Sequence, residues 1–476
     1  MMAALLKIPS AITMPEFLRI RSRTNLLIVV TVLLMAAFLG LLTPVLVALA
    51  DGKISKLVAL PAAMLFGLML LYDRKVSLML IILLRSSSDN ALELTRLNIA
   101  GAPMGIGALI NASVILIAML LVLEKPKAAP GRMYGAWVPL LASMAIGVLI
   151  SPVKGDAVRL YLSILSYFAV FIAAYHCVEN KQQFRQCLKL IAWSSLFPVL
   201  YSVVDVALRH SQPEFRLRST FGHPNVMAFY ITVIIAVTFY LLKTQPPKAP
   251  GRNKIILSLY MLVLFAELAL TKTRSAWGAV GISFALYALV FERRYLIYMF
   301  LLGCMALMIP GVTDRFTDLE QGNTVGTYAN LNSFAWRVFL WQSALNWIKP
   351  ATYLFGNGFN AFKHFSITFF PFAGGVNFGA HSVYVQLFFE LGAFGLLTFA
   401  WLYFSVLKEM VKLIKIDKLA AFSLIVVVAN FLICCASDNM LDYLVYAWYL
   451  WFAAGAGCAL VRNAERETAA TSLSLR

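Results

Sequence analysis

Charge is what this sequence has least of. Only 13% of its 476 residues are Asp, Glu, Lys or Arg, about half the share of a soluble domain. Hydrophobic residues make up 61% and the mean hydropathy is +0.80. A soluble enzyme is excluded, and a polytopic membrane protein is implied. Acidic residues are scarcer still, 22 against 40 basic, for a net charge of +18. That excess does not point to nucleic acid, because Lys and Arg collect in the cytoplasmic loops of membrane proteins. The six cysteines lie in or beside apolar runs, and their spacing fits neither a zinc site nor a disulfide framework. They read as small buried apolar residues. The ten-residue alternation of a barrel strand is missing too, so the spans are expected to be helices. The first 24 residues lack a short apolar core with a small-residue cleavage site, and the first span is expected to remain as an anchor.

What is there is a series of apolar runs of roughly 17 to 25 residues, the length of a membrane-spanning helix. They predict an all-α protein with 12–14 transmembrane helices. The range arises because segments 57–72 and 76–84 are short enough to form a re-entrant pair. More than half of the 40 Lys and Arg fall in the loops of one side, which is then the cytoplasmic side and holds both termini. The expected organisation is a cytoplasmic segment 1–25, membrane helices over 26–311, a large outer loop 312–381 with short helices, C-terminal membrane helices over 382–461, and a cytoplasmic tail 462–476. A loop as long as 312–381 is functional more often than idle. In it, "SFAWRVFLWQSALNWIKP" repeats Trp336, Leu340, Trp341, Ala344 and Trp347 at helical spacing. This predicts a short amphipathic helix at the outer membrane interface, ended by Pro350.

Four stretches share the outer face. "EFRLRSTFGHPN" carries Arg216, Arg218, His223 and Asn225. The tight turn "TKTRSAWG" carries Lys272 and Arg274. Arg337 lies on the interfacial helix, and His381 followed by Ser382 opens a long apolar run. A single arginine at a membrane boundary can simply reach for headgroups. Several on the side that disfavours them suit a polyanion, because the guanidinium fork matches phosphate oxygens. A helix start and nearby arginines hold an imidazole neutral, so His381 can accept a proton. Together they suggest transfer, with a bound phosphate leaving as a hydroxyl is activated. Magnesium would need clustered carboxylates. None adjoins these arginines, although Asp438 and Asp442 in "SDNMLDY" keep a metal open as an alternative. Asp205, Glu267 and Glu390 lie within expected spans, where charges are costly. Glu390 is expected to pin helix packing.

In order along the chain, "RSTFGHPN", "TKTRSAWG", "LFGNGFNAF" and "AHSVYVQLFFELGAFGLL" resemble the O-antigen ligase and polymerase superfamily of WaaL-like and Wzy-like enzymes. The resemblance runs from about residue 210 to 400. It implies a GT-C-like, metal-independent, inverting membrane glycosyltransferase with no cofactor. Such an enzyme works on the periplasmic face of the bacterial inner membrane. It moves a glycan from undecaprenyl diphosphate to a sugar hydroxyl in lipopolysaccharide or exopolysaccharide synthesis. The resemblance maps His381 as the base and Arg218 and Arg274 as diphosphate binders. Arg337 is a third, with Arg216 beside them, and His223, Asn225, Lys272 and Ser382 support. Many members have Asn where this chain has Ser382. The "GHPN" stretch resembles Wzy-type polymerases, which leaves a WaaL-type ligase acting on lipid A core, or a protein O-glycan ligase, as the alternative. A polymerase would also be expected to have a chain-length co-polymerase partner. A lipid-linked oligosaccharide flippase is the alternative of another class. It would carry its charges through both halves of the bilayer, whereas here they gather at one face.

Overall fold

The computed structural model describes residues 72–94, 97–99, 102–104, 106–126, 131–212, 214–246, 250–308 and 331–474. The expected spans at 26–50 and over nearly all of 57–72, and the loop residues 312–330, lie outside the described residues.

Helix α1 (Arg74–Arg85) starts at Asp73, whose carboxylate accepts from the Lys75 and Val76 N–H groups at 2.9 and 3.1 Å. Its 12 residues reach about 18 Å, half a bilayer. The short helix α2 (Asp89–Leu94) leads to a hairpin of β1 (Leu97–Ile99) and β2 (Ala102–Met104), with Leu97 opposite Met104. This hairpin is the exception to the all-α expectation among the described residues. Then follow α3 (Ile106–Glu124), α4 (Gly131–Ile150) and α5 (Lys154–Cys177).

The expected span 187–208 is two helices, α6 (Lys181–Ser194) and α7 (Leu196–Arg209). Pro198 lacks an N–H, and its ring crowds the carbonyl four residues back at Ser194, so the helix breaks at Ser195. The hydroxyls at the break are taken up by neighbours: Ser194 meets the Tyr230 hydroxyl at 2.8 Å and Ser195 the Tyr260 hydroxyl at 2.6 Å. Next come α8 (Pro224–Lys243), α9 (Gly251–Leu270), α10 (Arg274–Val290) and α11 (Tyr295–Leu307). The outer segment contributes α12 (Ser333–Trp347) and α13 (Ala361–Phe369), and the chain closes with α14 (Val383–Lys412), α15 (Lys418–Cys435) and α16 (Leu444–Ser474). Among the described residues nine helical segments are long and apolar enough to cross a membrane, with α10 and the first part of α11 shorter. The protein is a polytopic α-helical membrane protein. Helix α16 continues well past residue 461, so most of the expected tail is helical.

Helix α8 and residues 444–461 of α16 are buried on nearly every side and form the centre of the bundle. Gly455 of α16 lies against the backbone of Phe171 in α5 with no room for a Cβ, the close approach that small residues allow between membrane helices. Trp137 and Trp451 pack beside this contact with ring centroids 4.4 Å apart.

Helix α14 is broken where the sequence predicted a single helix over 382–407. Gly392 has φ +67° and ψ −164°, a conformation open essentially to glycine. The "LFGNGF" segment docks in the break. Ala393 and Phe394 donate to the Tyr353 and Leu354 carbonyls at 2.8 and 3.1 Å, and Asn357 and Gly358 donate to the Phe389 and Glu390 carbonyls at 3.0 Å each. The Glu390 carboxylate then accepts from the Asn360 and Phe362 N–H groups at 2.9 and 3.2 Å, at the N-terminus of α13. Its role is packing, as the sequence suggested.

Helix α12 ends at Trp347, with Asn332 as N-cap. Pro350 opens a 3₁₀ turn. Its aromatic stripe covers protein: Trp336 packs on Phe370 and Phe378, and Trp347 on Phe365 and Phe389. This second core, with Leu340, Ala344 and Phe362 buried in it, seats α12 and α13 on the start of α14.

Candidate functional site

Helices α8, α10 and α14 begin at one end of the bundle, where α15 ends and turns into α16. A chain of polar contacts ties these ends together. Asn225, in the first turn of α8, accepts from Arg216 Nη2 at 2.6 Å and from the Thr273 hydroxyl at 3.3 Å. Its Nδ2 donates to Asp438 Oδ2 at 2.5 Å. Asp438 Oδ1 accepts from the Tyr443 hydroxyl at 2.7 Å and the Asn439 N–H at 2.9 Å. Arg216 also donates from Nε to the Thr271 carbonyl at 2.8 Å and from Nη2 to the Thr273 hydroxyl at 3.0 Å. Arg216 and Asn225, read from sequence as ligand-facing, are thus committed to the protein's own frame. Asp438 and Tyr443 complete that frame; the sequence marks Asp438 only as a candidate metal ligand and does not single out Tyr443. Their only signal was the short polar turn "SDNMLDY" between two apolar runs.

His381 stands where the outer segment turns into α14. Its φ of +48° is uncommon for a residue with a Cβ, and strain of this kind clusters at functional sites. The ring is half-buried and meets Trp336 edge-on at 5.9 Å. Among the described residues neither ring nitrogen has a hydrogen-bond partner. Burial and the Arg337 guanidinium hold the imidazole below its ordinary pKa, with His223 acting in the same direction and Asp438 opposing. It is therefore neutral at pH 7. Ser382 occupies the N-cap position of α14, but its hydroxyl caps nothing.

The backbone beneath His381 is fixed from α12, where Trp341 Nε1 donates to the Ala380 carbonyl at 2.6 Å. Arg337 donates from Nη1 to the Ser437 carbonyl at 2.7 Å, which brings α12 onto the turn that holds Asp438.

Arg218, Lys272 and Arg274 flank this group. Asp205 of α7 sets the loop that carries Arg218. It takes a two-pronged pair from Arg209 at 2.6 and 3.1 Å and accepts the Arg218 and Ser219 N–H groups at 3.0 Å each. The guanidinium of Arg218 is half-buried and has no protein partner among the described residues. Lys272 sits at φ +52° between α9 and α10, and its ammonium is likewise without a partner there. Arg274 Nη2 reaches Ser333 at the start of α12 at 3.3 Å.

The structure thus joins Arg216, Asn225 and Asp438 directly. It sets His381 within electrostatic reach of Arg337, Asp438 and His223, and leaves Arg218, Lys272 and Arg274 at the margin. Asp442 is exposed while Asp438 is buried among donors. Among the described residues no three His, Cys, Asp or Glu side chains gather as metal ligands. Glu267 is buried in α9, one turn before Thr271, and its carbonyl accepts the Thr271 N–H at 3.1 Å.

Residues 259–400 match the family model described as O-antigen ligase. The chain carries a domain of the O-antigen ligase/polymerase superfamily. The matched O-antigen ligase segment runs from α9 into α14, so it contains Lys272, Arg274, Arg337, His381 and Ser382. It begins after the "RSTFGHPN" stretch of Arg216, Arg218, His223 and Asn225. No curated protein matches the chain. The family carries glycosyl transfer in O-antigen and lipopolysaccharide synthesis by a membrane enzyme that uses lipid-linked glycans.

Proposed function

We propose that this protein transfers a glycan from an undecaprenyl-diphosphate carrier to a sugar hydroxyl at the periplasmic face of the bacterial inner membrane, with both termini in the cytoplasm. It polymerises O-antigen or exopolysaccharide repeat units in the Wzy manner. The observation that carries this reading is His381: a neutral imidazole whose nitrogens have no protein partner among the described residues, within electrostatic reach of Arg337, at the end of the bundle where Arg218, Lys272 and Arg274 also lie.

His381 takes the proton of the acceptor hydroxyl as its oxygen attacks the anomeric carbon. The bond from that carbon to the diphosphate oxygen breaks, and the diphosphate leaves with the electron pair. A single displacement of this kind inverts the anomeric centre. Negative charge grows on the leaving group, so cations aimed at it stabilise the transition state more than the ground state. Arg218, Arg274 and Lys272 have that role, with Arg337 between the leaving group and the base. They supply positive charge that a divalent ion supplies in other transferases. Arg216 and Asn225 hold the frame, and Ser382 stands where many relatives place Asn.

A second reading takes lipid A core as the acceptor, as a WaaL-type ligase would, and its support is the description of the matched family as O-antigen ligase. Purified protein supplied only with undecaprenyl-diphosphate-linked repeat units decides between them. A ladder of glycan lengths means polymerase, and a chain-length co-polymerase is then the expected partner. Transfer that needs added lipid A core means ligase. Movement of the donor across vesicles without transfer would overturn both in favour of a flippase.

A further inference from the structure

The site holds two imidazoles, and their hydrogen bonding sets them apart. His223 is the N-cap of α8, and its Nδ1 accepts the Asn225 N–H at 3.1 Å. Asp, Asn, Ser and Thr are the usual choices for this position, so histidine there is a poor choice for capping alone. A neutral imidazole whose Nδ1 lone pair is in use carries its proton on Nε2. Protonating Nδ1 would set two N–H groups against each other and break the cap.

His223 is also exposed, at the positive end of a 20-residue helix. It shares Asn225 with Arg216, one on the backbone N–H and the other on the side chain. His381, by contrast, has no protein bond on either nitrogen among the described residues.

We propose that His223 is a fixed hydrogen-bond donor, giving its Nε2–H to a phosphate oxygen of the departing diphosphate, and that His381 alone of the pair takes up a proton. This rests on the glycosyl-transfer reading above. A neutral donor suits the position. It adds a hydrogen bond to the oxygen where charge grows. It also avoids a further positive charge within reach of His381, which would make that base weaker.

The test compares His223→Ser and His223→Asn with the unaltered protein, using undecaprenyl-diphosphate-linked repeat units as donor and undecaprenyl diphosphate as product inhibitor. Both substitutions keep an oxygen that caps α8, so the melting temperature should hold. Asn retains an N–H donor besides its capping oxygen, whereas the Ser O–H, held at the cap by its short side chain, cannot reach the place of the imidazole Nε2–H. The expected result is a loss of turnover of roughly 10- to 100-fold for Ser, the range of one hydrogen bond to a charged group. Product inhibition should weaken alongside, Asn should lose less, and the acid limb of the pH profile should stay in place.

Full turnover and unchanged product inhibition in His223→Ser would overturn the donor role and leave His223 a cap. Loss of the acid limb in that variant would overturn it in the other direction, making His223 the base. Absence of transfer by the unaltered protein would instead count against the glycosyl-transfer reading itself.

Discussion

The side-chain amide of Asn225 donates to Asp438 Oδ2 at 2.5 Å, and so joins the start of α8 to the turn between α15 and α16. The two residues lie 213 positions apart, and through Arg216 and Tyr443 the contact fixes both walls of the site. Asp438 is 3% exposed, and removing it leaves the half-buried amide of Asn225 without this acceptor. Asp438→Ala should cost about 2–3 kcal/mol of stability, read as a lower melting temperature in detergent. Its transfer rate should fall as well. An unchanged melting temperature would show that the frame does not depend on this contact.

His381 carries the chemical step in the proposed reaction. His381→Ala should abolish transfer while the protein folds and binds donor, checked by product gels and donor-binding measurements. The pH dependence follows from its depressed pKa. The active form is neutral, so turnover should fall only as pH drops through a value below 6.5. Burial is the first cause of the depression and Arg337 the second. Arg337→Gln removes the second, raises the affinity of the imidazole for a proton and moves the acid limb to higher pH. The same shift bears on stability. Below pH 6.5 the unfolded chain binds this proton before the folded one does, so His381 makes stability fall as acid is added.

Much of this site was legible in the sequence because membrane proteins keep charge only where it is used. His381, Arg218, Arg274 and Arg337 stood out against apolar surroundings and lie at one end of the bundle. The polar frame was less legible. Arg216 and Arg218 are two residues apart and look alike as letters. Which of them is spent on Asn225 and Thr273 depends on contacts with α10 and the α15–α16 turn that sequence order does not bring together. The break in α14 was hidden for a similar reason. Gly392 lies in "ELGAFG", and glycine is common in membrane helices. Its positive φ becomes necessary only once the 353–359 segment docks there. The aromatic stripe of α12 was read with the right period, but a period does not say whether the covering surface is lipid or, as here, protein.

The Gly392 break makes a prediction of its own. A Cβ at Gly392 would meet the Leu354 carbonyl and the Phe355 nitrogen, and the backbone angles would be strained as well. Gly392→Ala should lower the yield of folded protein and the melting temperature by more than a helix-interior Gly→Ala change elsewhere. Gly281, on α10, has open space at its Cβ position and is the matching control, where the same change should be neutral or slightly stabilising. Equal melting temperatures for the two variants would mean that the docked segment tolerates rearrangement.

The positive side chains at the margin separate an arginine site from a metal site. If Arg218 and Arg274 grip the diphosphate through paired N–H groups, their geometry matters as much as their charge. Arg218→Ala and Arg274→Ala should each raise the donor KM and lower turnover. Arg218→Lys and Arg274→Lys keep the charge but lose the planar fork, so they should recover only part of the loss. Full recovery with lysine would reduce the role to a point charge. Transfer should also survive EDTA, because in this scheme guanidinium and ammonium groups meet the growing charge. Loss of activity in EDTA, restored by a divalent ion, would redirect attention to Asp438 and Asp442. Asp438 would then have to surrender the amide of Asn225 or the hydroxyl of Tyr443 to bind the ion. That exchange would loosen the frame that positions His381, so metal dependence should come with a metal-dependent melting temperature.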